Sequence, residues 1–495
     1  MPATRRPLAS LILAAILAAL AAGPVVGAEE EDKEETEKPK KDSSEVRTAK
    51  KIHVQITSQM GVHQDIELQE YIERVGAKLA AVSDRPELDW KFTIVDTDDV
   101  NAFATMGGYV YISRGILPYF QSEAELAAVL GHEIGHITAE HLKKQQRKGM
   151  LAGLASAATA IFTGQPALAD LTNLAGMALI RGYGREAELE ADRLGARYLA
   201  NAGYDPNALI EVISSLKDQE TFERERARLE NREARIYHGT FATHPDNDTR
   251  LQQAIATAGR AKPTAEATSN REGFLQAIEG LPIGSSERQG MVRDNRFYHA
   301  DMQFTVAFPR GWQVVNEPQQ ILAIAPDKSH YLQIRAQPPP ADLTDPRMFA
   351  MRGLANRRLE RPESLEINGL KAWTAIVRGD PSPFGQSTNV RYVVIHHANL
   401  MWIFKGASRS GSMSIPSGDP FFMSAANTFR RLRAEEFALA QPYRLDVVRA
   451  AEGTTMAALA KEASVKKYPE QQLRLFNKLY PKGEPEPGDL VKTVR

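Results

Sequence analysis

The sequence predicts an α+β chain of three folded parts. They are a mainly helical domain with a small β-sheet over 52–260, an α/β sandwich-like domain over 272–435, and a small strand–helix–helix–strand module over 443–495. Three observations carry this expectation. Helical apolar spacing dominates the first half, with only two short alternating runs. Short alternating runs then follow one another from 302 to 406 before one closing helix, an order of strands first and helix last. Finally, 495 residues leave room for about three domains at roughly 150 residues each.

The elements follow in order. Arg5 and Arg6 precede an apolar run from Leu8 to Ala22, and Val26-Gly27-Ala28 offers small residues at a cleavage site. Residues 1–28 are therefore expected to be a cleaved signal peptide that exports the chain to the periplasm. Of the 23 residues from Glu29 to Lys51, 16 are charged, so this stretch is expected to be a disordered linker. Residues 65–83 read as a helix, and Trp90–Val95 as a strand. Gly107–Ile112 reads as a second strand entered through a glycine turn. A helix begins at Ser122, with Glu125 three residues on as its capping box, and is expected to run to Lys144.

Met150–Ile180 holds one charge, Asp170, in 31 residues. Gly164-Gln165-Pro166 splits it, and neither half reaches the ~20 residues of a membrane span. Two packed core helices are expected there, in preference to an apolar lid. A third helix covers Glu186–Ala202 and stops at Gly203, and Glu220–Arg235 reads as a charged, solvated helix. Ala261–Arg271 reads as a linker, so a chain ending near Arg271 is expected to keep a folded first domain. Strands are expected at Met302–Phe308, Gln320–Ala325, Tyr331–Ala336, Ala372–Val377, Arg391–His397 and Leu400–Gly406, with a helix at Phe421–Leu432.

Composition narrows the function. Lys plus Arg number 61 and Asp plus Glu 62, a net charge of −1, so no nucleic-acid partner is expected. There is no cysteine, which removes disulfides, thiol catalysis and thiolate metal sites. Any metal must be held by histidine and carboxylate.

His132-Glu133-Ile134-Gly135-His136 supplies such a site. The two histidines are four apart on a helix, one turn plus about 40°, so both imidazoles reach one ion from one face. Glu133 lies beside them, placed to take a proton from water activated by zinc. His141 is nine residues after His132, about 180° around a continuous helix, and is expected to point away. Downstream, Glu188 and Asp192 are four apart on one helical face. Glu188 can ligate zinc, and Asp192 can accept the free N–H of a ligand histidine. Glu190 is about 200° from Glu188 and is expected to face away from the ion.

Asn101–Tyr111, His132–His136, Arg185–Asp192 and Thr243-His244-Pro245 together resemble a gluzincin metallopeptidase family, that of HtpX, the CAAX prenyl protease and the β-barrel assembly-enhancing protease, in its soluble exported branch. The resemblance spans about residues 50–260. It implies one zinc ion per chain on His132, His136 and Glu188, Glu133 as general base, and Asp192 supporting a ligand. It also implies polypeptide substrates, unfolded or misassembled envelope proteins. His244 would then face the active site, stabilising the oxyanion or occupying the open zinc position; a purely structural histidine is the alternative. Gly107, Gly108 and Tyr109 would bind substrate if their strand is an exposed edge to which an extended peptide adds. An ordinary core strand is the alternative. Met106 stands where the family usually has proline.

Tyr443–Arg495, with Glu452-Gly453-Thr454-Thr455 and Pro487-Gly488-Asp489, is similar to a LysM module, which implies weak association with peptidoglycan or the outer membrane. Thr454 replaces the aspartate of the usual Gly-Asp-Thr turn. Residues 300–432 resemble a PsbP/Mog-type α/β sandwich. The rival reading of the whole chain is a non-enzymatic envelope chaperone or cell-wall scaffold with an idle zinc site.

Overall fold

The computed structural model describes residues 44–147, 183–234, 247–258 and 267–495, except 318, 385–386 and 410–414. The expected signal peptide, the first part of the charged linker, the apolar stretch Met150–Ile180, most of Ala261–Arg271 and His244 lie outside the described residues.

Helix α1 spans Ser44–Met60, so residues 44–51, expected in the linker, form its first half. Ala49, Ile52, Ile56 and Met60 recur at helical spacing and pack on Val95, Phe103, Tyr109 and Tyr111. Arg47, Lys50 and Lys51 are exposed on its other faces. Helix α2, Ile66–Ala80, is capped by Asp65, whose side chain accepts from the Leu68 amide. It buries Leu68, Ile72, Val75 and Leu79.

Strands β1, Lys91–Val95, β2, Ala102–Ala104, and β3, Tyr109–Ser113, form one sheet in the order β1-β3-β2. Strand β3 runs parallel to β1 and antiparallel to β2. It is entered through Met106–Gly108, where Gly107 and Gly108 take φ of 78° and 91°. The strand that carries Tyr109 is thus interior, and the exposed-edge expectation for it is corrected. A peptide cannot add to a strand already paired on both sides.

Helix α3, Glu123–Thr138, runs through the middle of the domain and is buried from Ala124 to Ile137. Ser122 accepts from the Glu125 amide, while the Glu125 carboxylate reaches the Gln121 amide, one residue before the cap. The helix does not continue to Lys144. Glu140 takes φ of 52°, left-handed for a non-glycine residue, and a separate helix α4, His141–Arg147, starts after it. Helices α5, Arg185–Asn201, α6, Ala208–Leu229, and α7, Asn247–Ala258, complete this half.

Helix α3 can meet α5 closely because both faces are stripped of side chains. A Cβ on Gly135 would stand 3.0 Å from the Ala191 carbonyl, and one on Gly195 would stand 3.0 Å from the His132 amide nitrogen. This close approach sets the acidic turns of α5 against His132 and His136.

After α8, Arg271–Ala277, come the short strands β4, Pro282–Ile283, β5, Met291–Arg293, β6, Arg296–His299, and β7, Phe304–Ala307. Then follow β8, Gln313–Glu317, β9, Gln320–Ile324, β10, His330–Gln337, α9, Pro346–Gly353, β11, Leu359–Ile367, β12, Leu370–Pro381, β13, Ser387–His397, β14, Leu400–Ser408, α10, Asp419–Asn427, and β15, Arg430–Arg431. A seven-stranded sheet, β11-β12-β13-β14-β10-β9-β8, and a four-stranded sheet, β15-β7-β6-β5, enclose a second core. Phe297, Phe304, Trp402, Phe404, Phe422 and Phe429 fill it.

The chain ends with β16, Tyr443–Arg449, α11, Met456–Glu462, α12, Pro469–Phe476, and β17, Leu490–Val494, the expected order of elements. Its packing differs from that of a separate module. Leu445, Met456, Leu473, Phe476, Val491 and Val494 belong to the same core as Leu130 and Ile134 of α3. Lys492 is fully buried and donates to the carbonyls of Pro118 and Phe120, at 2.8 and 2.5 Å, just before the α3 cap. Strand β16 also pairs with β4, Tyr443 opposite Ile283. The two-sheet part is therefore inserted between two strands of the first core. No helix among the described residues is long and apolar enough to cross a membrane.

Candidate metal centre

Helix α3 presents His132 and His136 one turn apart, and α5 brings Glu188 to them. The two Nε2 atoms lie 3.0 Å apart. Glu188 stands 3.5 Å from His132 Nε2 through one oxygen and 3.5 Å from His136 Nε2 through the other. A tetrahedral zinc with N and O ligands at about 2.0–2.1 Å separates its ligand atoms by about 3.3 Å. The triangle of donor atoms therefore fits one zinc ion, and these are the three residues among those described that form such a group.

Charge makes the same demand. Among the described residues at the site, Glu133, Glu188 and Asp192 are all buried and the guanidinium of Arg250 is buried beside them. An excess of buried carboxylate is costly unless a cation offsets it. Burial and Arg250 push the His132 pKa down, Asp192 and Glu188 push it up, and the carboxylates prevail. The site attracts positive charge, as proton or as metal.

Asp192 stands behind His132. Its carboxylate lies 2.8 Å from His132 Nδ1. A carboxylate only accepts, so Nδ1 carries the proton and Nε2 turns its lone pair to the site. Arg250 from α7 grips Asp192 with two bonds, Nε to Oδ2 at 2.8 Å and Nη2 to Oδ1 at 2.7 Å, and its Nη1 lies 3.5 Å from Glu188. Burial opposes ionisation of Asp192, but Arg250 and His132 hold its pKa well below the usual range. Arg250 was missed in the sequence. Its signal is a lone arginine on the face of α7 that also carries Leu251 and Ala254.

Two expectations are corrected here. His141 does not point away: the break at Glu140 turns it back, and its Nδ1 lies 2.9 Å from His136 Nδ1. Glu190 does not stand idle: its Oε2 lies 3.1 Å from His141 Nε2. Helical angle alone misplaced both, because the helix is not continuous and the glutamate needs to reach only as far as a second imidazole.

A cavity opens beside His136. Ala104, Thr105, Met106 and Gly107 line one wall, and Ile137, Glu140 and Tyr183 the other, with Arg85 and Lys143 at its rim. The Tyr183 ring stacks on His136 at 4.0 Å. Of the three residues expected to bind substrate, Gly107 lines this cavity. Gly108 and Tyr109 do not, since Tyr109 is held within the sheet between its two neighbours.

Comparison with known proteins agrees with this geometry. Residues 67–258 match Peptidase family M48. The chain is 30% identical over 236 residues to the β-barrel assembly-enhancing protease of Escherichia coli K12, covering 46% of each chain. It is 35% identical over 138 residues to the mitochondrial metalloendopeptidase OMA1 of Arabidopsis thaliana, covering 28% of each. The chain thus spans about half the length, or less, of the curated relatives it matches. The solution structure of cyanobacterial PsbP from Synechocystis aligns with 29% of this chain and 95% of its own length, at 15% identity and a TM-score of 0.21. The donor set, its acidic helix and the stretch that matches Peptidase family M48 all fall together within residues 67–258.

Proposed function

We propose that this chain is a zinc-dependent metalloendopeptidase that hydrolyses unfolded or misassembled proteins of the bacterial cell envelope. The observation that carries the reading is the buried triangle of His132, His136 and Glu188 with Glu133 on the same helix turn. Zinc bound there supplies a Lewis acid that polarises a carbonyl and makes water acidic at neutral pH. The chain's own residues do the rest. Asp192 and Arg250 keep His132 in the tautomer that offers Nε2 to the metal. Glu133 accepts the proton of the attacking water and passes it to the leaving amine nitrogen, so the amide C–N bond breaks as the C–O bond forms. Substrate occupies the cavity between Ala104–Gly107 and the end of α3. For His244 the family resemblance implies a role in stabilising the oxyanion or capping the open zinc position.

The name of the Escherichia coli relative and the exported-protein pattern of Arg5, Arg6 and Leu8–Ala22 support an envelope substrate and a periplasmic location. The strand–helix–helix–strand order of 443–495 supports a LysM-like ending with weak peptidoglycan or outer-membrane association. Degradation of unfolded casein by the purified chain, measured with and without a chelator, tests the activity. Chelator-sensitive cleavage is expected. Its absence in a folded, zinc-loaded chain would favour a non-enzymatic envelope chaperone or scaffold.

A further inference from the structure

The geometry points to His141 and Glu190 as positioning residues for the second histidine ligand, through a carboxylate–imidazole–imidazole chain that ends at the metal. This inference rests on the zinc-site reading above. His132 has a direct carboxylate support in Asp192, at 2.8 Å. His136 Nδ1 faces a second imidazole instead, His141 Nδ1 at 2.9 Å. The far nitrogen of His141 faces Glu190, at 3.1 Å.

The proton positions follow from what each group can do. A carboxylate accepts only, so His141 Nε2 must carry hydrogen. A neutral imidazole carries one hydrogen, so with it on Nε2 the Nδ1 of His141 is bare and accepts from His136. His136 Nδ1 must then carry hydrogen, which leaves His136 Nε2 as a lone pair aimed at the site. The Glu190 charge thereby selects the metal-binding tautomer of a ligand it does not touch. Lys144 stands 3.9 Å from the same Glu190 oxygen, farther than His141. The chain exists only because Glu140, at φ 52°, interrupts the zinc helix and returns His141 to the site. One helix, α5, thus supplies the carboxylate ligand and the carboxylates that orient both imidazoles.

The test measures zinc affinity of the full chain by chelator competition, so it does not depend on activity. His141→Phe keeps a ring but removes the acceptor, and zinc binding should weaken about 10–100-fold, the usual cost of losing such a support. His141→Asn places a carbonyl oxygen near the lost Nδ1 and should recover most of the loss. Glu190→Gln should weaken zinc in the wild-type background and add nothing in the His141→Phe background. Glu186→Gln, on the same helix but exposed, should leave affinity unchanged. Nitrogen NMR of the zinc-loaded chain should show His136 protonated at Nδ1. The thermal midpoint of each metal-free variant identifies any that fail to fold, and Glu190→Gln, at a side chain 40% exposed, is the variant least exposed to that failure. Unchanged affinity in His141→Phe and Glu190→Gln, or additive losses in the double variant, would overturn the inference. A wild-type chain that binds no zinc would instead overturn the zinc reading beneath it.

Discussion

Glu188, Glu190 and Asp192 divide three tasks within little more than one turn of α5. Glu188 meets both imidazole Nε2 atoms, so Glu188→Ala should remove most bound zinc and all cleavage. Asp192 touches only the far nitrogen of His132, so Asp192→Ala should leave zinc bound about 10–100-fold more weakly. Elemental analysis and chelator competition on the two purified variants check this; zinc retained in full by Glu188→Ala would displace it as ligand. Arg250 neutralises the centre of this acidic group. Arg250→Leu leaves buried carboxylates uncompensated and should cost about 3–5 kcal/mol in the metal-free protein, as breaking a buried pair does. Denaturant unfolding of the metal-free variant reads that loss, and a loss under 1 kcal/mol would contradict the role given to Arg250. At this scale the sequence was readable where four-residue spacing alone decides geometry, for His132 with His136 and Glu188 with Asp192. It was unreadable for Arg250, whose partner lies on another helix, and for Glu190, whose contact passes through His141.

Helix α3 is placed by what its neighbours lack. Gly195→Val would drive a side chain into the His132 backbone, which a Cβ alone would already approach to 3.0 Å. Overpacking of this kind costs about 1–3 kcal/mol, and here it should also separate Glu188 from the imidazoles. Zinc affinity and unfolding free energy should therefore fall together in this variant; a stable Gly195→Val chain with unaltered affinity would show that the helices have room. The start of α3 was legible from Ser122 and Glu125, and its amphipathic neighbours from their spacing. Its end was not, because a left-handed glutamate at 140 carries no mark in the sequence that a glycine would carry. Strand order was also hidden: β2 has three residues, too few for a period, yet it converts β3 from an edge to an interior strand. Charge density concealed the first half of α1, where Ala49 is the buried anchor.

The whole molecule is built as one core interrupted by another. A change of texture near Ala261–Arg271 suggests that the first domain ends there, but the last fifty residues return to fill it. A chain ending near Arg271 loses Leu445, Met456, Leu473, Phe476, Val491 and Val494 from the core behind α3, together with the Lys492 clamp ahead of its cap. It should be insoluble or bind no zinc. Excising 290–440 with a short Gly/Ser bridge should do far less harm, since Ile283 and Tyr443 are already paired. Zinc content of the two products decides between one shared core and two independent domains. The central claim, that a zinc held here serves a general base on the same helix, has its own direct measurement. The full chain and its Glu133→Gln variant are analysed side by side for bound zinc and for cleavage of unfolded casein. The variant should hold one zinc per chain, as the unaltered protein does, and cleave at least ~10²-fold more slowly. Cleavage near the unaltered rate by the zinc-loaded variant would contradict it.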